Sequence, residues 1–367
     1  SSHLILFHPA MAANLARALP LQRLCRCTGW RTVQLRSFSL LEQLPDYASG
    51  SKALAEGRFS EALPMLQRSV EVADAYFPAD AGAELMECHA SLGSCLWYIG
   101  QYEEAARLMS KSSSEHLRLG AALVLFDLGR FDEAANLTSM SASGPRVQQH
   151  LALLQGALDA VAGGPPKDVS TDGWPSEAAM MMRLNRSVQD IVVDGGAADP
   201  VKTLLDELNA MDSLSPSSQL LLRCSLGELA VTAGVIDDWV RETLVKTLQD
   251  FDQMQPRDPS GQAVVFRALT ALATLTNAGG DAITAEGLFH SAQDHVARHT
   301  APGRASLWRR GVADAFATML ETGRHAEKRA PEIKRLRDAA GGDAYGSREK
   351  AWALLVLPQP LASKDAE

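Results

Sequence analysis

Three short segments of the chain are nearly the same: Gly57-Arg58-Phe59-Ser60-Glu61-Ala62, Gly100-Gln101-Tyr102-Glu103-Glu104-Ala105 and Gly129-Arg130-Phe131-Asp132-Glu133-Ala134. Each follows a run of helical composition and opens another. The shared pattern, glycine-x-aromatic-x-Glu-Ala, has a physical reading. Glycine supplies the left-handed residue that ends one helix, and the aromatic plugs the turn between two helices. Glu then sits in the first turn of the next helix, where its charge suits the helix dipole. Ala lets the paired helices approach closely. A chain punctuated in this way is committed to helical hairpins packed in series.

A second small residue recurs seven positions before the turn. Gly50 precedes Gly57, Gly93 precedes Gly100, Gly156 precedes Gly163 and Gly227 precedes Gly234. Seven residues are two helical turns, so the first member lies inside the leading helix. Glycine there costs about 1 kcal/mol of helix propensity and is tolerated where another helix crosses closely. Leu92 and Leu226 stand immediately before two of these glycines.

Leu92, Gly93, Gly100, Tyr102 and Ala105 resemble, position by position, the tetratricopeptide repeat. A worn copy follows as Leu272, Ala273, Gly280, Ala285, Phe289 and Ala292, and little beyond Gly323 marks a last one. The long interval from Gly57 to Gly100, with its extended second helix, is similar to the longer repeats of kinesin light chains. The resemblance implies an all-α, TPR-like helical-hairpin solenoid, regular in its N-terminal repeats and degenerate in its C-terminal ones. It implies a fold far more than a function.

Composition agrees with this class. Of 367 residues, 46% are hydrophobic and only 6% aromatic, a balance that favours helices meeting through small contacts over β-sandwiches. No run of apolar residues is long enough to span a membrane. The net charge of −9 argues against DNA or other non-specific nucleic-acid binding. That charge is unevenly placed. Residues 1–41 hold Arg17, Arg23, Arg26, Arg31 and Arg36 with no Lys, Asp or Glu. This is the composition of a mitochondrial transit peptide, or of a basic arm that stays on the protein. Arg36-Ser37-Phe38-Ser39 resembles a matrix-peptidase site cut after Phe38. TPR-like repeats are expected over 42–162, a Gly/Pro-rich hinge or loop over 163–176, a degenerate helical domain over 177–357 and a tail over 358–367.

Side chains with chemistry to offer are few. His295 and His299 share a helix face near His290, but no third zinc ligand accompanies them. Cys25 and Cys27 fall in the basic segment; Cys88, Cys95 and Cys224 read as small core residues. No phosphate loop, nucleophile elbow or carboxylate pair stands out, so no catalytic residue, metal or cofactor is expected. The clamp by which some TPR domains hold a terminal carboxylate needs Lys and Asn; here Tyr47, Ser51, Ala90, Ser91 and Ser94 occupy the corresponding face. Trp97 and Tyr98 are candidate partner contacts, although Trp97 also suits a core. So are Arg309 and Arg310, which with Lys328–Arg337 make the C-terminal third locally basic and open to RNA or lipid headgroups.

These features point to a non-catalytic interaction scaffold. An accessory subunit or assembly factor of a mitochondrial respiratory complex, ATP synthase or ribosome fits best; its partners would be other protein subunits. Mitochondrial proteins of similar layout attend respiratory complex III. The alternative is a cytosolic adapter that binds peptides transiently.

Overall fold

The structure, a computed structural model, describes residues 40–77, 82–112, 114–139, 144–164, 169–256, 258–298, 303–341 and 346–358. The basic segment 1–39, His299 and residues 359–367 of the tail lie outside them. Among the described residues there are sixteen α-helices and no strand. The first hairpin pairs α1 (Pro45–Ala55) with α2 (Phe59–Tyr76), the second α3 (Gly82–Tyr98) with α4 (Tyr102–Ser110), and the third α5 (Glu115–Asp127) with α6 (Phe131–Thr138). A single helix, α7 (Pro145–Ala162), follows. Four more hairpins then pair α8 (Ser176–Val188) with α9 (Asp199–Asn209), α10 (Pro216–Thr232) with α11 (Asp238–Met254), α12 (Pro259–Ala278) with α13 (Ala282–Arg298), and α14 (Arg304–Thr322) with α15 (Ala330–Ala340). The short helix α16 (Ser347–Leu354) comes last.

The hairpins stack in chain order. Each first helix packs on its own second helix and, in most steps, on the next first helix, so the first helices form an inner layer and the second helices an outer one. This is an all-α helical-repeat solenoid.

The turns behave as the sequence repeat requires. Gly57, Gly100, Gly129, Gly234 and Gly280 have φ of 70°, 82°, 80°, 79° and 88°. All five close their helix with one bonding pattern. Gly57 N–H donates to the Leu54 carbonyl at 2.9 Å and Arg58 N–H to that of Ala53 at 2.8 Å. Gly100 with Gln101 and Gly129 with Arg130 repeat it on Trp97 with Leu96 and on Phe126 with Leu125. Such a left-handed closure satisfies carbonyls that a helix end would leave bare. Ala62, Ala105, Ala134 and Ala285 are wholly buried just beyond the turns.

The inner glycines mark close crossings. A Cβ built on Gly93 would come within 2.8 Å of Met109 on α4, and one on Gly227 within 2.7 Å of Leu244 on α11. Leu92 and Leu226 beside them are buried. Gly156 differs, because the nearest side-chain atom, Met182 Sδ, lies 3.8 Å from its built Cβ. The reason is structural. α7 ends at Gly163 with the same left-handed closure, yet no second helix folds back on it. After the loop the chain enters α8, whose C-terminal turn widens into a π-turn (Gln189–Val193); there the Gln189 side chain donates to the Gly164 carbonyl.

Helix α16 leaves this serial order. It packs on α7, α8, α10 and α14, all members of the inner layer. The residues after it, Leu355, Val356 and Leu357, are buried. Apolar side chains lie on every face of residues 351–357, so burial from several sides is the only way to remove them from water.

Candidate functional site

Of the residues singled out in the sequence as partner contacts, Trp97 is buried and Tyr98, Arg309 and Arg310 are half-buried. Trp97 is 2% exposed and meets Tyr98 edge-on at 5.0 Å between ring centroids. Tyr98 stacks flat on Phe59 at 4.7 Å, joining the first hairpin to the second. Arg310 donates to the Ala340 carbonyl at 2.7 Å and pairs with Glu349 at 3.0 Å, which ties α14 to α15 and α16. Arg309 is half-buried on α14. Two arginines of the basic stretch are neutralised in place. Arg329 pairs with Glu286 and Glu332 at 2.8 and 2.6 Å, and Arg337 pairs with Asp314 and Glu321.

The face tested for a carboxylate clamp carries other chemistry. The Tyr47 hydroxyl donates to Glu87 at 2.9 Å and lies 3.2 Å from Ser91 Oγ; burial pushes its pKa up to about 12. Among the described residues no cluster of metal-ligating side chains forms. His290 instead lies 3.7 Å from Glu286 and edge-on to Phe316. Cys88, Cys95 and Cys224 are buried thiols. Desolvation pushes Cys88 up to about 12 and Cys95 to about 11, so neither is a nucleophile at neutral pH.

What the inner layer does hold is the end of α16 and the extended residues that follow it. Asn185, 5% exposed on α8, donates its amide to the Val356 carbonyl at 2.8 Å and accepts the Val356 N–H at 2.8 Å. From α14, Arg304 donates to the Leu355 carbonyl at 2.7 Å and Trp308 Nε1 to the Ala353 carbonyl at 2.8 Å. Side chains from two separate hairpins thus take up four backbone groups of one segment. Such contacts hold a peptide by its main chain, whatever its side chains.

The segment also has a side-chain anchor. Trp352 inserts beside the turn of the third hairpin, edge-on to Phe131 at 4.9 Å and to Phe126 at 6.3 Å. Gly129 makes room for it, since a Cβ there would come within 2.8 Å of the indole. The neighbouring turn does the same for Arg348, which lies 2.8 Å from a Cβ built on Gly163.

Buried charge surrounds this groove. Arg304 pairs with Asp127 at 2.9 Å and lies over the rings of Phe126 and Trp308. Arg267 pairs with Glu228 at 2.5 Å, donates to Ser225 at 2.9 Å and sits 5.0 Å from the Trp308 centroid. Burial pushes the Asp127 and Glu228 carboxyls up, and the facing guanidiniums pull them back. The arginines keep their charge. Removing either partner would strand the other, at about 3–5 kcal/mol. Beside α16 the inner layer stays open as a cleft of about 360 Å³ lined by Glu228, Arg267, Thr270, Asn277, Asp314 and Lys350.

Comparison with protein-family models, with curated proteins and with solved structures finds no match. Asn185, Arg304, Trp308 and Trp352 are the site residues that the repeat pattern did not reveal. Two signals for them exist in the sequence: an asparagine inside the apolar run Met180–Leu184–Val188, and the run Ala351-Trp352-Ala353-Leu354-Leu355-Val356-Leu357, too apolar for a solvated end.

Proposed function

We propose that this chain is a non-catalytic protein-interaction scaffold built from TPR-type repeats. It serves as an accessory subunit or assembly factor of a large mitochondrial complex. The observation that carries the reading is the set of Asn185, Arg304 and Trp308 on main-chain groups of the last turn of α16 and the residues after it: the inner layer has the chemistry for holding peptide. The stacked hairpins supply the extended surface on which such proteins work. The mitochondrial part rests on the acid-free, arginine-bearing composition of residues 1–41. No helix among the described residues is long and apolar enough to cross a membrane, so attachment to a complex would run through protein contacts.

Native-gel fractionation of purified mitochondria, with mass spectrometry of each fraction, tests the reading. Migration far above the mass of the free chain, with a mature start near Ser39, is the expected result, and the co-migrating set would name the assembly. Migration near 39.4 kDa with an intact N-terminus would refute it. The cleft left open beside α16 favours a second reading, a transient peptide adapter, for which that outcome is the expected one.

A further inference from the structure

We infer that residues 346–358 are a displaceable internal ligand, and that the groove they fill receives an apolar peptide of the same form, a short helix with an aromatic anchor running into extended backbone, from a partner protein. This rests on the scaffold reading above and identifies its binding surface. Three observations carry it. The first is the mode of attachment: Asn185, Arg304 and Trp308 bind main-chain atoms of residues 353, 355 and 356, so another chain of suitable shape presents the same groups.

The second is an imperfect fit. Trp97 Nε1 and Arg304 Nε are buried donors of the groove that make no hydrogen bond. Trp97 and Arg304 line a residual void of about 20 Å³ against Leu355, Val356, Leu357 and Pro358. A void of that size holds about one water molecule, so the resident segment leaves these donors to solvent at best. A ligand that offers carbonyl or amide acceptors there would use them.

The third is the anchor. The socket of Phe126, Gly129 and Phe131 is complete without Trp352, because all three residues belong to one hairpin turn. Helix α16 has eight residues, too few to be helical in isolation. It is ordered only when docked, and release removes helix and extended segment together.

The test uses the full chain and a fluorescein-labelled peptide of sequence 346–358, with binding read by fluorescence anisotropy. Trp352→Ala weakens the resident segment and leaves the groove untouched. The expected result is that this variant captures the wild-type peptide at least tenfold more tightly than the unmodified chain. In the same background, Asn185→Ala should then weaken capture at least tenfold, since the resident no longer competes. If Trp352→Ala fails to give native helix content by circular dichroism, Leu357→Ser at the other end of the segment is read in the same way.

Absence of peptide binding by either variant, or equal binding by variant and unmodified chain, overturns the inference and makes the segment permanent core. A dimer by light scattering that takes up no peptide also overturns it, placing the segment of a second copy in the groove. Hydrogen exchange of the unmodified chain gives an independent reading. Amides of 351–357 should exchange at least tenfold faster than those in the middle of α10 and α12, and equal protection overturns the inference. Co-migration with a mitochondrial assembly is unaffected by these outcomes, so the scaffold reading and the internal ligand fail separately.

Discussion

Gly100 and Gly129 form a matched pair from which the docking of the C-terminal helix can be measured. Both end a first helix with nearly the same left-handed backbone, φ 82° and 80°, and with the same two closing hydrogen bonds. A Cβ added at Gly100 meets nothing within 4 Å, whereas one at Gly129 runs into the Trp352 indole at 2.8 Å. Gly100→Ala therefore costs only the left-handed conformation of a residue with a side chain, about 1–2 kcal/mol. Gly129→Ala costs that and a wedge beneath a packed indole, about 1–3 kcal/mol more by the usual penalty for overfilling a core. The indole is a rigid ring held between Phe126 and Phe131, so it cannot bend aside as an alkyl chain would. Removing it should cancel the second cost: in a Trp352→Ala background, Gly129→Ala should again cost about 1–2 kcal/mol. The assay is guanidinium unfolding of the four chains of this double-mutant cycle, with Gly100→Ala as reference, at matched slopes. Equal destabilisation by Gly100→Ala and Gly129→Ala, within about 0.5 kcal/mol, would refute the seating of Trp352 in that turn.

Other expectations follow from the same contacts. Gly156→Ala should stabilise the chain by about 0.5–1 kcal/mol, since it adds helix propensity where a Cβ meets only Met182 Sδ at ordinary contact distance, whereas Gly227→Ala should destabilise it against Leu244; thermal melts of both variants decide. Asn185→Ala orphans the N–H and carbonyl of Val356 and should lower stability by about 2–6 kcal/mol, capped by the free energy of docking the segment, because undocking restores both groups to water. Urea unfolding measures the loss, and a change under about 0.5 kcal/mol would sink it. His150 is half-buried with its Nδ1 atom buried and unpaired, and desolvation, with Arg146 and His116 nearby, pushes its pKa down to about 4 from 6.5. Its folded value lies below its unfolded one, so its contribution is full above about pH 6.5 and is lost as pH falls toward 4. His150→Gln should reduce the acid sensitivity of the melting temperature across that window, and an unchanged profile would contradict the assignment.

The turns were legible because each is a local device. Gly57, Phe59 and Ala62 specify helix end, plug and close contact within six residues, and Gly93 and Gly227 foretell the crossings that Met109 and Leu244 make. Gly156 shows the limit of such reading. It repeats the spacing, yet the second helix that would give the spacing its purpose is absent, and only the Gly/Pro-rich composition after Gly163 hints at this. The aromatic pair Trp97 and Tyr98 was visible as a pair, while its burial depends on what lies across the inner layer. Asn185 and Val356 are 171 residues apart in sequence, and no periodicity connects them. Arg310 is similar: a basic residue in a basic neighbourhood, assigned to Glu349 and to a helix end by tertiary contact alone.

The insertion of α16 into the inner layer has a consequence for the order in which the molecule can be made. A repeat array of this kind folds hairpin by hairpin as it leaves the ribosome, since each unit needs only its neighbours. Here the groove formed by α7, α8, α10 and α14 is filled by residues that leave the ribosome only after every hairpin has been made. Until they emerge, the nascent chain displays Phe126, Phe131 and the buried arginines to solvent, a surface suited to chaperone capture. A stop codon at position 346 would leave every hairpin encoded and that surface permanently bare. Loss of α16 and residues 355–357 would then act as a core lesion although no hairpin is touched.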